Sequence, residues 1–566
     1  MKVMSETIVS ETLEAKMRDG TVLKADVWRP AGGGKHPVLL IRLPYDKSQG
    51  EDLCYAHPSW YARQGYATVV QDVRGRWASG GEFTPFEHEG DDGEDTMAWL
   101  SSLPFSNGRI GMYGFSYPGH TQLQIAARKH DGLRCMVPAM TSPDLYEGWA
   151  YNNGAFALAF NASWATFLAD DVARRRDPDL EPTLAAMYAK MNDYYWWLPL
   201  SAIPNLTPGT PGGFFSDWLQ HETKDAYWSK WDVTDKLDSI DVPAMAVGGL
   251  YDVFLEGTMT NYAGFRRGPR ANEARMVIGP WYHMPWMPAF GDVDFGPEGR
   301  NRVDATQLEF FDQWLRDGDP PKGPRVAAFI SGANRWQGFE DWPPKSTQWQ
   351  LHLRAHSRAN SISGDGYLSD ETPGSSESPD TYSYDPATPN VSFGGRSCCL
   401  DFVAPMGPRD QRPVESWNSV LVYSTEPLAR DHMVAGKITA HVFAATNQPD
   451  TDWVVKVCDV DPSGRSINIQ ETIQRARFVG GTDRARPIPA GNVTEFVLDV
   501  GTCAHVFRAG HRVRVQVASS HFPHWDRNLN TGNPVGTEKL SDRRVGIQTV
   551  LHDSAHPSRV VLPLVS

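Results

Sequence analysis

Residues 109–127 read RIGMYGFSYPGHTQLQIAA, and this segment decides the fold of the chain. An apolar run comes first, a Gly-Phe-Ser-Tyr-Pro-Gly turn follows, and a helix-forming stretch ends the segment. A serine at such a strand-to-helix turn has an exposed hydroxyl, with backbone N–H groups pointing toward it. Gly114 and Gly119 allow the tight turn and the close packing of helix on strand. The segment therefore predicts an α/β fold with Ser116 as a nucleophile.

The motif departs at one position from the G-x-S-x-G pattern of nucleophilic serines. Pro118 stands two residues after Ser116, and the glycine follows one residue later. The alternative interpretation is an ordinary strand-to-helix turn in which Ser116 caps the helix.

A serine nucleophile needs a base and a carboxylate that orients the base, and in this fold they follow in the order Ser, Asp or Glu, His. A predicted strand at 242–250 runs into Asp252, and one at 276–278 runs into the motif GPWYH, which ends at His283. Sites in open α/β sheets form at the carboxyl ends of strands. We therefore predict Asp252 as the acid and His283 as the base. The alternative to a catalytic His283 is a hydrogen-bonded structural histidine, and the rival acids are Glu256, Asp292 and Asp294.

An acyl-transfer site also needs donors for the oxyanion, and each is worth about 2.7–4 kcal/mol. The backbone N–H of Tyr117, next after the serine, points into this position by the construction of the turn. Tyr45 follows a predicted strand at 38–43 and is a candidate for the second donor. A tyrosine in such a place is more often a packing residue.

Short apolar strands alternate with helical stretches between residues 20 and 135, which is typical of an α/β domain with a mainly parallel sheet. Residues 144–235 lack this alternation and are rich in aromatic residues. We predict that they form a helical cap inserted into an α/β domain whose two parts are 1–143 and 236–349. The regularly spaced short strands of 350–566 predict a jelly-roll β-sandwich.

Composition argues against several classes of partner. The 566 residues carry a net charge of −14 and no basic run, so nucleic acid is an unfavourable partner. No stretch approaches the roughly 18 apolar residues of a membrane span, and the charged N-terminus lacks the apolar core of a secretory signal. We expect no membrane partner and a cytoplasmic location. The six cysteines are interpreted as free thiols, since the adjacent pair Cys398 and Cys399 would close a strained ring.

Metal or cofactor chemistry has no motif in the chain. Neither H-E-x-x-H nor C-x-x-C is present. We expect no metal and no cofactor. A rival from another class is a non-catalytic protein whose jelly roll binds carbohydrate or a partner, which the complete set of catalytic residue types disfavours.

Several motifs together resemble the cocaine esterase family of serine hydrolases, which is related to X-Pro dipeptidyl aminopeptidases, α-amino acid ester hydrolases and glutaryl acylases. They are DVRGR at 72–76, GGEF at 80–83, GDDG at 90–93, GRIGMYGFSY at 108–117 and GPWYH at 279–283. GANRW at 332–336 and DWPP at 341–344 resemble the join to the C-terminal domain. The resemblance spans almost the whole chain. It implies an α/β-hydrolase domain, an inserted helical cap and a C-terminal jelly roll.

The resemblance also implies roles for individual residues. The nucleophile is Ser116, the acid is Asp252 and the base is His283, with the Tyr45 hydroxyl and the Tyr117 N–H as the oxyanion hole. Three aromatic residues match positions that form the acyl pocket in the family, with the core of the cap as the alternative: Trp149, Trp164 and Phe254. Pro118 departs from the Leu or Gly common in the family, and we expect it to alter the helix start only.

These observations predict a carboxylesterase that needs no cofactor and cleaves small-molecule esters with aromatic or bulky acyl groups through an acyl-enzyme. The α-amino acid ester hydrolases carry acidic residues directly after the catalytic acid, whereas Val253 and Phe254 follow Asp252 here. The alternative is an X-Pro dipeptidyl-peptidase, or an amide or β-lactam side-chain acylase of the same superfamily. One sequence leaves open the natural substrate and the oligomeric state, for which a homodimer is one candidate.

Overall fold

The computed structural model describes residues 7–50, 52–375, 377–398 and 405–565. Its first half contains short strands and longer helices in alternation. In chain order the strands are β1 (Ile8–Lys16), β2 (Val22–Pro30), β3 (His36–Leu43), β4 (Ala67–Asp72), β5 (Ser106–Phe115), β6 (Leu133–Ala139), β7 (Tyr151–Asn152), β8 (Ala155–Phe156), β9 (Met245–Tyr251), β10 (Arg275–Tyr282), β11 (Ala289–Phe290), β12 (Val293–Asp294), β13 (Val326–Ile330) and β14 (Arg335–Phe339).

Ten of these strands form one sheet in the order β1-β2-β4-β3-β5-β6-β9-β10-β13-β14, while β7 with β8 and β11 with β12 form separate hairpins. Pairing is parallel from β4 through β13 and antiparallel at both edges. The inner strand β4 has all six residues buried. Burial on both faces is expected because helices cover a parallel sheet from both sides.

The helices around this sheet are α1 (Pro58–Arg63), α2 (Glu89–Ser102), α3 (Tyr117–Ala126), α8 (Leu255–Phe265) and α9 (Val303–Arg316). One apolar core holds side chains of α2, α3 and α8, and a second holds side chains of α1 and α9. Phe311 and Leu315 are four residues apart on α9, so both side chains lie on the buried face of an amphipathic helix.

A group of helices separates β6 from β9, where the sequence predicted a cap. They are α4 (Leu158–Arg176), α5 (Glu181–Ala189), α6 (Met191–Tyr195) and α7 (Phe214–Gln220). Their aromatic side chains share a core with Tyr117, the first residue of α3, and with Phe254, the residue before α8. None of the helices in the described ranges is both long and apolar enough to cross a membrane.

The C-terminal half is built almost entirely of strands. They are β15 (Thr347–Ala355), β16 (Gly366–Ser369), β17 (Asp380–Tyr384), β18 (Leu421–Ser424), β19 (His432–Thr446), β20 (Asp452–Val460), β21 (Ser466–Arg475), β22 (Thr494–Phe507), β23 (Arg512–Ala518), β24 (Gly546–Leu551) and β25 (Arg559–Val565), with the short helix α10 (Arg412–Glu415) before β18. The second sheet begins at Thr347, slightly ahead of the boundary predicted at 350.

Pairing in this half is antiparallel apart from the contact of β16 with β18. The strands follow the path β17-β24-β19-β25-β15-β16-β18-β23-β20-β21, with β22 beside β19. Tyr382 and Ile469, near the two ends of the path, contribute to one apolar core. The sheet therefore folds over on itself, and the predicted fold class of an α/β hydrolase with a C-terminal β domain is confirmed.

One expectation about the cysteines is wrong. Cys54, Cys135, Cys458 and Cys503 are buried thiols, but Cys398 is disulfide-bonded. The expectation weighed ring strain alone and could not include packing: Cys398 is buried in the aromatic core of the cap. Cys399 lies outside the described residues.

A buried arginine joins the cap to the β domain. Arg475 on β21 contacts Asp452 and Asp526 at 2.9 Å each, and all three side chains are at most 8% exposed. Asp526 also accepts the backbone N–H of Phe156, at the entrance of the cap, at 2.8 Å. Charges at this depth are stable only when they are paired.

We expect Arg475→Met to destabilise the protein by about 3–5 kcal/mol, because it leaves two carboxylates buried without their cation. The measurement is the guanidinium unfolding midpoint followed by tryptophan fluorescence. Arg486→Met is the control, since Arg486 forms a surface pair with Asp483, and its effect should stay within about 1 kcal/mol. Equal losses in the two variants would contradict the buried network as the cause.

Candidate active site

Ser116 occupies a sharp elbow between β5 and α3. Its backbone has φ +67° and ψ −127°, a conformation that costs a non-glycine residue about 1–3 kcal/mol. The Ser116 N–H donates to the carbonyls of Ala139 and Met140 at 3.0 and 3.1 Å, which holds this conformation. Its side chain makes no capping hydrogen bond to the helix. Ser116 therefore holds the N-cap position of α3 without using its hydroxyl to cap the helix.

Gly119 makes the elbow sterically feasible. A Cβ at this position would lie 2.7 Å from the side chain of Thr141 and 2.9 Å from the carbonyl oxygen of Ala139. Only glycine allows α3 to approach β6 this closely. Pro118 lies within the first turn of α3, where its missing N–H costs the helix nothing, so the departure from the usual motif leaves the elbow intact.

His283 and Asp252 form a buried hydrogen-bonded pair. Asp252 directly follows β9 and His283 directly follows β10, and these parallel neighbours pair Tyr251 with Tyr282 after a one-residue register shift in β10. His283 Nδ1 lies 2.7 Å from Asp252 Oδ1, with the two side chains 2% and 0% exposed. Donation from Nδ1 to the carboxylate leaves Nε2 of the neutral ring as the acceptor. The imidazole is thereby fixed in the tautomer that a general base needs.

The imidazole lies beside the elbow. Its ring is 5.3 Å from the ring of Phe115, the residue before Ser116, in an edge-to-face contact. The three rival carboxylates are engaged elsewhere: Glu256 accepts the Thr502 N–H, Asp292 accepts the Asp410 N–H, and exposed Asp294 accepts the Gly296 N–H. Asp252 is the carboxylate that the fold brings to His283.

The two candidate oxyanion donors follow neighbouring parallel strands, Tyr117 after β5 and Tyr45 after β3. Tyr117 is the first residue of α3, where backbone N–H groups have no partner within the helix. Tyr45 follows β3, and its hydroxyl oxygen accepts the indole N–H of Trp164 at 3.1 Å. Because this oxygen accepts from the cap, the Tyr45 proton is directed away from Trp164. The hydroxyl is thus oriented by a residue that the sequence pattern had assigned only to the pocket.

The side chain of Tyr117 is anchored by a network that sequence reasoning missed. Its hydroxyl donates to Glu89 at 2.7 Å and accepts the Phe86 N–H at 2.9 Å. Glu89 in turn pairs with Arg42 at 2.8 Å, with both side chains at most 4% exposed. Burial raises the pKa of Glu89, while Arg42 and the Tyr117 hydroxyl act to lower it. The network fixes the residue whose N–H adjoins Ser116.

The three aromatic residues predicted for the acyl pocket lie together. The rings of Trp149 and Phe254 are 4.4 Å apart, and those of Trp149 and Trp164 are 5.8 Å apart. Phe254 also contacts the His283 ring at 5.3 Å, so this aromatic cluster packs against the imidazole. Phe86, which the sequence did not single out, contacts Trp149 at 5.0 Å and stacks on Tyr117 at 4.3 Å.

The β domain contacts β9, the strand that Asp252 follows. Gln470 donates to the carbonyl of Leu250 at 3.1 Å, and Tyr251 donates to the carbonyl of Asn468 at the same distance. Ser397 forms a backbone bridge with Asp252 itself. The C-terminal domain therefore supports the position of Asp252, a role that the sequence had left open.

The chain is similar to known proteins over almost its whole length. Residues 19–285 match the X-Pro dipeptidyl-peptidase (S15) family, and residues 316–561 match the C-terminal non-catalytic domain of X-Pro dipeptidyl-peptidases. The cocaine esterase of Rhodococcus sp. (strain MB1 Bresler) is 34% identical over 573 residues, covering 98% of each chain.

Two solved structures share the architecture over nearly the full length. An α-amino acid ester hydrolase has a TM-score of 0.81 at 26% identity, covering 100% of this chain and 98% of its own. An aminopeptidase from a marine sediment Thaumarchaeota archaeon has a TM-score of 0.80 at 26% identity, covering 99% and 97%. The chain is therefore a serine hydrolase that acts on esters, and it belongs to the cocaine esterase family.

Proposed function

We propose that this serine esterase uses Ser116 as its nucleophile and prefers esters with aromatic or bulky acyl groups. The observation that carries the proposal is the buried His283–Asp252 pair beside a strained serine elbow, with Phe254 packed on the imidazole. Perturbed backbone geometry and a base held in one tautomer are features of nucleophilic sites.

In the proposed mechanism, His283 Nε2 takes the proton of Ser116 as its Oγ attacks the ester carbonyl. The new C–O bond gives a tetrahedral oxyanion, which the Tyr117 N–H and the Tyr45 hydroxyl stabilise. The imidazolium, paired with Asp252, then gives its proton to the leaving alcohol as the ester C–O bond breaks. Water repeats the sequence on the acyl-enzyme, which releases the acid and regenerates Ser116.

The acyl preference follows from the chemistry of the cluster around the site. Trp149, Trp164 and Phe254 offer flat apolar faces, and aromatic pairs gain about 0.5–1.5 kcal/mol beyond simple burial. A benzoyl group can form such contacts, whereas an acetyl group cannot. A small-molecule ester is accordingly the proposed substrate, and the cytoplasmic location and the homodimer stay predictions.

A peptidase activity is the second candidate, favoured by the match to the X-Pro dipeptidyl-peptidase family over 19–285. An exopeptidase must bind the terminal ammonium of its substrate close to the serine, and a carboxylate with no other partner forms the strongest such contact. The cluster that contacts His283 is aromatic, and Asp252 is committed to the imidazole. The ester preference is therefore the stronger proposal.

Ser116→Ala should lower kcat for p-nitrophenyl benzoate by at least about 10³-fold, because the acyl-enzyme cannot form. Wild-type enzyme should cleave the benzoate with a higher kcat/KM than the acetate, measured by release of p-nitrophenol. An X-Pro p-nitroanilide is assayed alongside. Activity that survives in Ser116→Ala would remove the mechanism, and turnover of the anilide alone would replace the esterase with the peptidase.

Tyr45→Phe should lower kcat by about 10²–10³-fold with little change in KM, because it removes one donor to the transition-state oxyanion. The measurement is steady-state kinetics on p-nitrophenyl benzoate. Tyr367→Phe on β16 in the second sheet is the matched control and should leave both constants unchanged. A Tyr45→Phe variant with wild-type kcat would assign the oxyanion to other donors.

Phe254→Leu should lower the ratio of kcat/KM for benzoate to that for acetate by about 2- to 10-fold, which corresponds to the loss of one aromatic contact of about 0.5–1.5 kcal/mol. The acetate rate in the same variant corrects for any effect through His283. Phe339→Leu on β14 is the control. An unchanged ratio would show that the acyl group does not touch this face.

A further inference from the structure

A large cleft lies where the α/β domain, the cap region and the β domain meet. Its volume is about 830 Å³. Neither Ser116 nor His283 lines it, but Gly148 and Val253 do. The residues that follow these two, Trp149 and Phe254, form the aromatic contact of 4.4 Å beside the acyl site. The cleft therefore adjoins the backbone that carries this aromatic wall without containing the nucleophile.

The cleft has apolar walls and a charged lining, which includes the cations Arg396 and Lys437. Met259 and Tyr262 of α8, Phe478 of the β domain and Trp342 all line it. Four carboxylates line the same space: Asp144, Glu147, Glu256 and Asp499. An enclosure of this size with apolar walls and a few polar groups is typical of small-molecule sites.

Three of the four carboxylates already have cations. Asp144 pairs with Lys224 at 2.7 Å, Glu256 pairs with Arg396 at 3.3 Å, and Asp499 pairs with Lys437. Within the described part of the chain, no lysine or arginine forms an ion pair with Glu147.

Glu147 is held by the backbone alone. Both of its carboxyl oxygens lie 3.2 Å from the N–H of Asn153, in the turn that packs on Phe478. Burial raises the pKa of Glu147 to about 8; Asp144 and Asp499 raise it further, while Lys224 and the Asn153 amide lower it. A carboxylate without a cation is costly at such a site, and a bound cation would remove this cost.

We propose that this cleft is a second ligand site, separate from the serine site, which takes an organic ammonium ion with an apolar body. The ammonium group pairs with Glu147, and the body lies along Phe478. Glu147 holds a proton near pH 7 when the cleft is empty and ionises when the cation binds. Binding therefore releases this proton to solvent, and the release fades as the pH rises above about 8.

The test is isothermal titration calorimetry of the full chain with phenethylammonium at pH 7, in phosphate and in Tris, two buffers of different ionisation enthalpy. We expect saturable binding with nearly one proton released per cation. The neutral isostere 2-phenylethanol should bind at least ten-fold more weakly. Equal affinity for cation and alcohol, or binding without proton release, would overturn the proposal.

Variants locate the site. Glu147→Gln should weaken phenethylammonium binding at least ten-fold and abolish the proton release, and Phe478→Leu should weaken binding without abolishing the release. Glu309→Gln removes one charge from an exposed position on α9 and should bind as the wild type does. A thermal melt of each variant checks folding. If Glu147→Gln fails to fold, the wild-type measurements of proton release and of 2-phenylethanol binding still test the proposal.

A covalent label separates this site from the acyl pocket. Enzyme inactivated with phenylmethylsulfonyl fluoride should bind phenethylammonium with unchanged affinity, because the cleft does not contain Ser116. Loss of binding in the labelled enzyme would place the amine in the acyl pocket and refute the second site. The probe is not an ester, so an enzyme that failed the esterase assay would still answer this test.

Discussion

One backbone hydrogen bond organises the reactive centre. The N–H of Ser116 donates to the carbonyls of Ala139 and Met140, at the end of the neighbouring strand β6, and this contact holds the serine at a φ of +67°. Because β5, β6, β9 and β10 are consecutive in the sheet, the residues that follow β9 and β10 stand at the same edge as the elbow. The order of the strands thus brings Ser116, Asp252 and His283, which are distant in sequence, to the same edge of the sheet.

Much of this arrangement could be read from local sequence. Ser116, Asp252 and His283 each follow an apolar run, and parallel strands bring their carboxyl ends to one edge. The pairing of Asp252 with His283 also needs a one-residue register shift between Gly279 and Tyr282 on β10, which the sequence did not reveal.

Other parts of the site carry no local signal. The Tyr117 hydroxyl donates to Glu89, and Glu89 forms an ion pair with Arg42. These residues are far apart in sequence and meet only through tertiary packing. The orientation of Tyr45 by Trp164 has the same character. The disulfide at Cys398 was misjudged for a related reason: strain can be argued from adjacency, but the buried environment around the sulfur cannot. Polar contacts between residues that are distant in sequence therefore could not be predicted from local sequence patterns.

The contacts of the β domain with the acid strand bear on how such a protein can change over time. Leu250 and Tyr251 exchange hydrogen bonds with Gln470 and Asn468, and Asp252 is bridged by Ser397. Asp252 is thus held in position by contacts from both halves of the polypeptide. Neither half is an interchangeable module, so recombination that swaps the C-terminal domain alone would import a foreign support for Asp252. The two halves are expected to be inherited together, and divergence in one constrains divergence in the other.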